Sequence, residues 1–388
     1  MKRTLLAIII FIFCGTISHA QIEYPDNIVN IGCSEPATVI SWDEPQIRST
    51  APNIAVYFPI VVGDIDANDT VDIIAAHYFD NSYWTTQLDI YDGDLNLEHT
   101  ITIPEQVYCC WGAVAIARYP QGTDASSRQQ EKSEYTGAIF VLCWDLKIRS
   151  YSISGELLNV SDYEAPYAST LSIADFNNDG YPEVYVANSI YDAATLKRLC
   201  TGSYGNNIGL SYRGISIESQ GHQGLYAMPL AADLIGDSRL ELICGNCIYD
   251  VDIVSRTDPS QNRITTQKLV TPPAGYPQDG HSIIADFDKD GQLDVLVIKD
   301  LTPDNVFDDT YLYAYNPVTG NILFSMTNPC RTIGLPSIGD IDNDNFIEMV
   351  FSNRKEDYLN NSLLIYNIFQ TQDLHLCGKI TLTTSLAR

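Results

Sequence analysis

A nine-residue acidic pattern that recurs along the chain is the feature that most constrains the fold. Its clearest copy runs from Asp175 to Glu183, with carboxylate or amide side chains at positions 1, 3 and 5 and a carboxylate at position 9. Further copies begin at Asp64, Asp286 and Asp340, and a damaged copy begins at Asp233. Starts 175, 233, 286 and 340 are 58, 53 and 54 residues apart, and starts 64 and 175 are 111 apart. Because units that recur at a near-constant period stack or ring with their own copies, the pattern predicts a repeat architecture in which one unit lacks its acidic loop.

Each repeat has the same order of apolar segments. A short apolar run precedes the acidic turn, a second follows it, and a more alternating hairpin comes next. Around Asp286 the two apolar runs are 282–285 and 293–298, both rich in β-branched residues. Runs this short and this apolar predict strands buried on both faces. The later strands, such as Tyr311–Tyr315, carry tyrosines and are interpreted as outer strands in which most aromatic side chains serve packing.

Four strands in each repeat, with no helical periodicity, predict an all-β fold, a β-propeller of about six to seven four-stranded blades. Small sheets in a ring bury their faces on their neighbours and leave only short edges. Six units start near residues 50, 106, 166, 223, 277 and 331, so the predicted propeller covers 50–388. Residues 21–49 either supply the strand that closes the ring against the last unit or form part of a seventh blade.

The second unit departs from the others, because it lacks the loop acids and carries a polar insertion. The insertion, Gln121–Ser133, has no hydrophobic pattern, so we predict an exposed loop there.

The first 20 residues have the composition of a cleavable signal peptide. Lys2 and Arg3 precede the apolar run Leu5–Phe13, and small residues stand before position 21. The run is too short to span a membrane, and no later stretch approaches the required length of about 20 apolar residues. We therefore expect a secreted or cell-surface protein that does not insert into the membrane. The formal charge of −27 argues against nucleic acid and anionic membranes as partners.

The acidic loops have the composition of calcium sites. Calcium takes six to eight oxygens, and the side chains at positions 1, 3, 5 and 9 with a carbonyl at position 7 supply such a set. About four sites are predicted. Their ligands are Asp64, Asp66, Asn68 and Asp72; Asp175, Asn177, Asp179 and Glu183; Asp286, Asp288, Asp290 and Asp294; and Asp340, Asp342, Asp344 and Glu348.

The alternative interpretation is a set of solvated Asp/Asn turns that hold no metal. Magnesium is disfavoured because it usually keeps several of its waters. Gly180 and Gly291 occupy position 6, where a positive φ suits Gly, then Asn and Asp. The Asp233 unit has Ile235 at position 3, so we expect weak calcium binding or none there.

The cysteines raise a separate possibility. Removing Cys14 with the signal peptide leaves nine of the ten, and the spacing of Cys244 and Cys247 is one that zinc or redox sites use. Aligned with the preceding repeat, however, these two residues fall on the ordinary strand and turn positions of Val186 and Ser189. We therefore interpret them as structural.

The repeat resembles a known family. Segments 173–180 and 284–291 are similar to the FG-GAP repeats of integrin α-subunit propellers and to the VCBS repeats of secreted bacterial proteins. The resemblance covers nearly all of residues 50–388, and the units near residues 118 and 233 depart from it. It implies a calcium-stabilised propeller whose ions set loops at one rim, used mostly in adhesion or ligand recognition.

Three functions are consistent with these features. The first is an adhesion or recognition module for an extracellular protein or glycan, with no catalytic residue. The second is a secreted polysaccharide lyase or hydrolase, for which His222 and His281 are the candidates, although no GxSxG, HExxH or P-loop motif is present. The third is a structural segment of a larger surface assembly.

Overall fold

A computed structural model describes residues 21–23, 47, 49–54, 60–77, 85–104, 109–120, 135–166, 170–204, 228–276, 278, 280–301, 309–328, 331–332, 336–340, 347–354, 360–368 and 374–383. The expected signal peptide, the 121–133 insertion and most of segment 21–49 lie outside these residues. The chain divides into two compact units. The larger contains Trp42–Leu301 and Tyr311–Leu323, and the smaller contains Met1–Ser41, Thr302–Thr310 and Phe324–Arg388.

The described secondary structure is β, apart from one 3-10 turn at Pro259–Gln261. The strands are β1 (Gln21–Glu23), β2 (Val61–Gly63), β3 (Asp72–Ala76), β4 (Gln87–Tyr91), β5 (Leu97–Thr102), β6 (Cys109–Pro120), β7 (Tyr135–Cys143), β8 (Ile148–Tyr151), β9 (Leu157–Val160), β10 (Ser172–Ala174), β11 (Glu183–Val186), β12 (Ser189–Asp192), β13 (Arg198–Thr201), β14 (Leu230–Ala232), β15 (Glu241–Cys244), β16 (Cys247–Asp252), β17 (Arg263–Leu269), β18 (His281–Ala285), β19 (Asp294–Leu301), β20 (Asp309–Tyr315), β21 (Ile322–Asn328), β22 (Arg331–Thr332), β23 (Ser337–Gly339), β24 (Ile347–Arg354), β25 (Asn360–Ile368) and β26 (Leu374–Thr383). None of the described helices has the length and apolar character needed to cross a membrane.

These strands form five four-stranded sheets and one six-stranded sheet among the described residues. Sheets 1 to 5 contain β2–β5, β6–β9, β10–β13, β14–β17 and β18–β21, each in sequence order. Sheet 6 has the order β1-β26-β25-β24-β22, with β23 also paired to β24. In sheets 3 and 4 the second strand, β11 or β15, is buried along its whole length, as the short apolar runs predict.

In the larger unit, consecutive sheets pack face to face through apolar clusters. Ile74 and Ile90 of sheet 1 lie in one cluster with Ile139 and Val141 of sheet 2. The corresponding clusters join Phe140 and Leu142 to Val184 and Val186, Tyr185 and Ile190 to Leu242 and Tyr249, and Ile243 and Ile248 to Val295 and Tyr313. Each sheet between two others therefore buries both faces. Four-stranded antiparallel sheets stacked in sequence order are the blades of a β-propeller, and the predicted fold class is confirmed.

Sheet 6 includes a strand from the segment that precedes the repeats. Strand β1 pairs antiparallel with β26, and Gln21 lies opposite Thr381. The start of segment 21–49 thus adds an edge strand to the last sheet.

A tyrosine on the third strand is a second repeated feature. A register shift against the fourth strand stands directly before this tyrosine in five sheets, at Tyr91, Tyr151, Tyr191, Tyr249 and Tyr366. The Tyr191 hydroxyl donates to the carbonyl of Glu164 at 3.2 Å, and that of Tyr249 donates to the carbonyl of Tyr204 at 2.9 Å. Both acceptors follow the fourth strand of the preceding sheet, so these tyrosines connect neighbouring blades.

Gly137 of sheet 2 lies directly against the first acidic loop of sheet 1. A Cβ added there would overlap the carbonyl oxygen of Ile65 and would lie 2.6 Å from the Ile65 Cγ2. Ile65 belongs to the first acidic loop, so Gly137 lets strand β7 pass directly beneath that loop.

We expect Gly137→Ala to lower stability by about 1–3 kcal/mol, because overpacking against backbone moves two sheets apart. Thermal unfolding of the full chain measures the change. Gly93→Ala is the matched control, since its added methyl would meet only the Val71 carbonyl oxygen at 3.8 Å. Equal melting temperatures for the two variants would contradict the proposed close approach.

Candidate metal centre

The described acidic loops occupy the same place in their sheets. Each connects the first strand to the second, in sheets 1, 3, 4 and 5. In sheet 2 the corresponding connection, between β6 and β7, contains residues 121–134. The loops therefore lie at corresponding ends of their blades.

One hydrogen-bond scheme organises all four loops. The position 1 carboxylate accepts bonds from the backbone N–H groups of positions 5 and 6. Asp175 accepts from Asp179 at 3.0 Å and from Gly180 at 2.8 Å. Asp64, Asp233 and Asp286 accept the equivalent pairs of bonds. The position 1 side chain thus defines the turn, and its oxygens are held toward the loop interior.

The position 9 acid is the second fixed point. It begins the second strand and accepts a hydrogen bond from the backbone N–H of position 2. These bonds are Ile65 to Asp72 at 2.7 Å, Phe176 to Glu183 at 3.0 Å, Leu234 to Glu241 at 2.7 Å and Phe287 to Asp294 at 3.0 Å. All four acids are buried. A buried carboxylate at the base of each loop is therefore a constant of the repeat.

Burial and crowding of these carboxylates disfavour their charged form. Burial, together with the charges of Asp179 and Asp175, raises the pKa of Glu183 to about 9. Burial and the Asp288 charge raise the pKa of Asp294 to about 7. The pKa values of Asp72 and Glu241 are also raised, with burial as the first cause. A divalent cation would compensate this concentration of negative charge.

Two backbone positions in each of the four described loops are left-handed. At position 6, φ is 68° for Asp69, 87° for Gly180, 73° for Ser238 and 86° for Gly291. At position 4, φ is 63° for Ala67, 56° for Asn178, 79° for Gly236 and 61° for Lys289. The glycine pattern predicts position 6 but not position 4, because Ala and Lys give no sequence signal for this conformation.

The loops of sheets 1 and 5 bring three carboxylates together. Asp64, Asp66 and Asp72 each place an oxygen within 4.8 Å of the other two, and Asp286, Asp288 and Asp294 do the same. At position 5, Asp290 accepts from the Gln292 N–H at 2.8 Å and Asn68 accepts from the Thr70 N–H at 2.7 Å. These are hard oxygen donors on one short turn, a set that suits calcium.

The loop of sheet 3 has donor oxygens without partners. Glu183 is fully buried, and its Oε1 accepts no hydrogen bond from any described residue. The same is true of the buried Asn177 Oδ1. The hydrogen bonds of this side chain come from its Nδ2, which donates to Asp179 at 3.2 Å and to the Ile253 carbonyl at 2.9 Å. Buried oxygens are costly to leave unsatisfied. Asp175 and Asp179 add carboxylate oxygens to the same loop, and the three carboxylates do not converge within 4.8 Å as those in sheets 1 and 5 do.

The loop of sheet 4 departs from the others in its side chains. Ile235 is exposed at position 3, where the other loops carry Asp or Asn. Arg239 at position 7 contacts the Asp237 carboxylate at 3.0 Å. Backbone and side-chain hydrogen bonds from Arg239 lower the pKa of Asp237.

A second arginine approaches the loop of sheet 1. The Arg118 Nη1 on strand β6 lies 3.5 Å from the Asp64 Oδ2. Sequence reasoning missed this contact, because it joins two different repeats.

Only the ends of the loop in sheet 6 are described. Asp340 follows β23, and Glu348 is buried on β24 opposite Gly339. Asp342 and Asp344 lie outside the described residues, so their predicted role as ligands stays a prediction.

The remaining candidates have ordinary strand positions. Cys244 and Cys247 lie opposite each other on β15 and β16 and are buried between sheets 3 and 4, as the repeat alignment predicts. Burial raises the pKa of the Cys247 thiol, which disfavours a reactive thiolate. His281 begins β18 opposite Ile298. His222 lies outside the described part of the chain.

Comparison with known proteins yields structural similarity only. No protein-family model and no curated protein matches the sequence. The V. cholerae biofilm matrix protein Bap1 is similar with a TM-score of 0.45 and 11% identity, over 86% of this chain and 68% of that one. The Dos1 propeller is similar with a TM-score of 0.42 and 10% identity, over 81% of this chain and 70% of that one. BBS1N in complex with ARL6DN is similar with a TM-score of 0.33 and 12% identity, over 86% of this chain and 94% of that one. The fold assignment depends on the sheets of this chain rather than on these similarities.

The left-handed backbone conformation at position 4 can be tested by substituting Ala67. We expect Ala67→Gly to stabilise the folded chain by about 1 kcal/mol, because only Gly adopts positive φ without a steric cost. Thermal unfolding measures the change. Ala174→Gly on strand β10 is the control, and it should lower the free energy of unfolding by about 0.5–1 kcal/mol. A lower melting temperature for both variants would contradict the assigned conformation.

Proposed function

We propose that this protein is a secreted, calcium-binding β-propeller of the FG-GAP/VCBS type that recognises an extracellular protein or glycan. The observation that carries the proposal is the oxygen-lined loop of sheet 3, where Glu183 Oε1 and Asn177 Oδ1 are buried without hydrogen-bond partners. The loops of sheets 1 and 5 have the same backbone hydrogen bonds and bring three carboxylates together, so we extend the calcium proposal to them.

Calcium suits these loops better than other divalent cations. The side-chain donors are carboxylate and amide oxygens, whereas zinc prefers nitrogen and sulfur ligands. Magnesium requires near-ideal octahedral geometry and usually keeps several waters. A loop that offers four side-chain oxygens and the position 7 carbonyl matches the larger and more flexible calcium shell. The ligands would be the predicted residues at positions 1, 3, 5, 7 and 9.

The bound ions would prepare a recognition surface. A cation neutralises the clustered carboxylates and holds two left-handed residues in each turn, so that the loops at one end of sheets 1, 3 and 5 become rigid. Rigid loops lose little entropy when a ligand binds them. The net charge of −27 disfavours nucleic acid as the partner, and we assign no catalytic residue.

Calcium should stabilise the folded protein. At a free concentration of 100 times Kd, one site contributes about 2.7 kcal/mol, so the melting temperature should rise with calcium and fall with chelator. Glu183→Gln removes one charged donor and should reduce the calcium-dependent rise. Glu98→Gln, an exposed change on β5, is the matched control. An unchanged melting temperature at saturating calcium would disprove the metal assignment.

Ligand recognition is tested by screening the full chain on glycan and extracellular-protein arrays with calcium and with chelator. We expect retention of a ligand in calcium, its loss in chelator, and weaker retention for Glu183→Gln. Each retained glycan is then incubated with the protein and examined for cleavage. Release of products would replace the recognition function with the lyase or hydrolase alternative, and calcium-independent retention would contradict the role given to the loops.

A further inference from the structure

The loop of sheet 4 keeps the turn of its relatives although it has lost part of their donor set. Asp233 accepts from the backbone N–H groups of Asp237 at 3.2 Å and Ser238 at 3.0 Å. Glu241 accepts from Leu234, and both left-handed positions are present. Something other than a complete oxygen shell therefore compensates the acids of this loop.

Arg239 places its positively charged guanidinium beside the position 5 carboxylate of this loop. Its Nε and Nη2 donate to the Asp237 Oδ2 at 3.3 and 3.0 Å, and its backbone N–H donates to the Asp237 Oδ1 at 2.9 Å. Both oxygens of the position 5 carboxylate are thus engaged by one residue. In the other described loops position 7 is Thr70, Tyr181 or Gln292, none of which carries a charge.

The same guanidinium also connects the loop to the body of its sheet. The Arg239 Nη1 lies 3.2 Å from the Asp250 Oδ1 on strand β16. One cation therefore joins a loop acid to the third strand, which is the neighbour of the second strand that follows the loop. The planar fork of arginine can contact two carboxylates in this way.

We propose that Arg239 is a built-in counter-ion that replaces calcium in the loop of sheet 4. The exposed Ile235 supplies no ligand at position 3, and Arg239 neutralises Asp237 at position 5. Sheet 4 thus keeps its turn whether or not calcium is present, while the loops of sheets 3 and 5 depend on the ion. The contrast with those loops rests on the proposed function, but the role of Arg239 within its own loop does not.

Hydrogen–deuterium exchange of the full chain, with calcium and with chelator, tests this role. Chelator should increase exchange in peptides covering 175–183 and 286–294 and leave 233–241 unchanged. Arg239→Ala should increase exchange of 233–241 about two- to five-fold in both conditions, the size expected of a partly exposed ion pair. Arg263→Ala is the matched control, because it removes an arginine from an exposed pair with Asp252 in the same sheet.

Two results would overturn the proposal: exchange of 233–241 that rises with chelator as it does in 175–183, or an Arg239→Ala variant that exchanges like Arg263→Ala. If chelator changes no loop while Arg239→Ala still loosens 233–241, the calcium function fails and the counter-ion role stands.

A gain of calcium binding provides the complementary experiment. Ile235→Asp with Arg239→Thr completes the side-chain donors and removes the internal charge, so isothermal titration should count one more calcium per chain than for the wild type. Ile235→Asp alone retains Arg239 and should bind at this loop at least ten-fold more weakly than the double variant. Equal affinity of the two variants, or no added site in the double variant, would contradict the role of Arg239.

Discussion

The hydrogen bond between the position 9 carboxylate and the backbone N–H of position 2 is the interaction on which the blade ends depend. It closes each loop across the first two strands and places a carboxylate in the packed interior at Asp72, Glu183, Glu241 and Asp294. Burying an acid is unfavourable unless positive charge or further hydrogen bonds accompany it. The loop chemistry and the core packing are therefore coupled, because the same residue begins an interior strand and completes the donor set.

Much of the loop structure could be predicted from the sequence, because few residue types suit both an acidic turn and the start of a buried strand. Alternating acids and a glycine such as Gly180 identify the turn, and apolar runs identify the strands around it. The left-handed conformation of Ala67 and Lys289 could not be predicted, since neither residue prefers it. The contacts of Arg118 and Arg239 could not be predicted from the sequence either, because they depend on which strands lie side by side.

The irregular second repeat shares a local feature with a regular repeat although it has no acidic loop. Tyr151 and Ser152 stand at the end of the third strand of sheet 2, where Tyr191 and Asp192 stand in sheet 3, and both tyrosines follow a register shift. Ser152 Oγ accepts from the Glu156 N–H, and Asp192 Oδ1 accepts from the Thr195 N–H. This outer turn is present in a blade without an acidic loop, so it marks the repeat independently of that loop.

The pairing of β1 with β26 has a kinetic consequence. Gln21 lies opposite Thr381, so this ladder forms only after nearly the whole sequence is available. Contacts between residues so distant in sequence carry a large loop-closure entropy and slow the search for the native state. The earlier blades are built from neighbouring segments and need no such search. Assembly of the six-stranded sheet should therefore limit the rate of folding, with the exposed edge of β26 as the last surface to be covered.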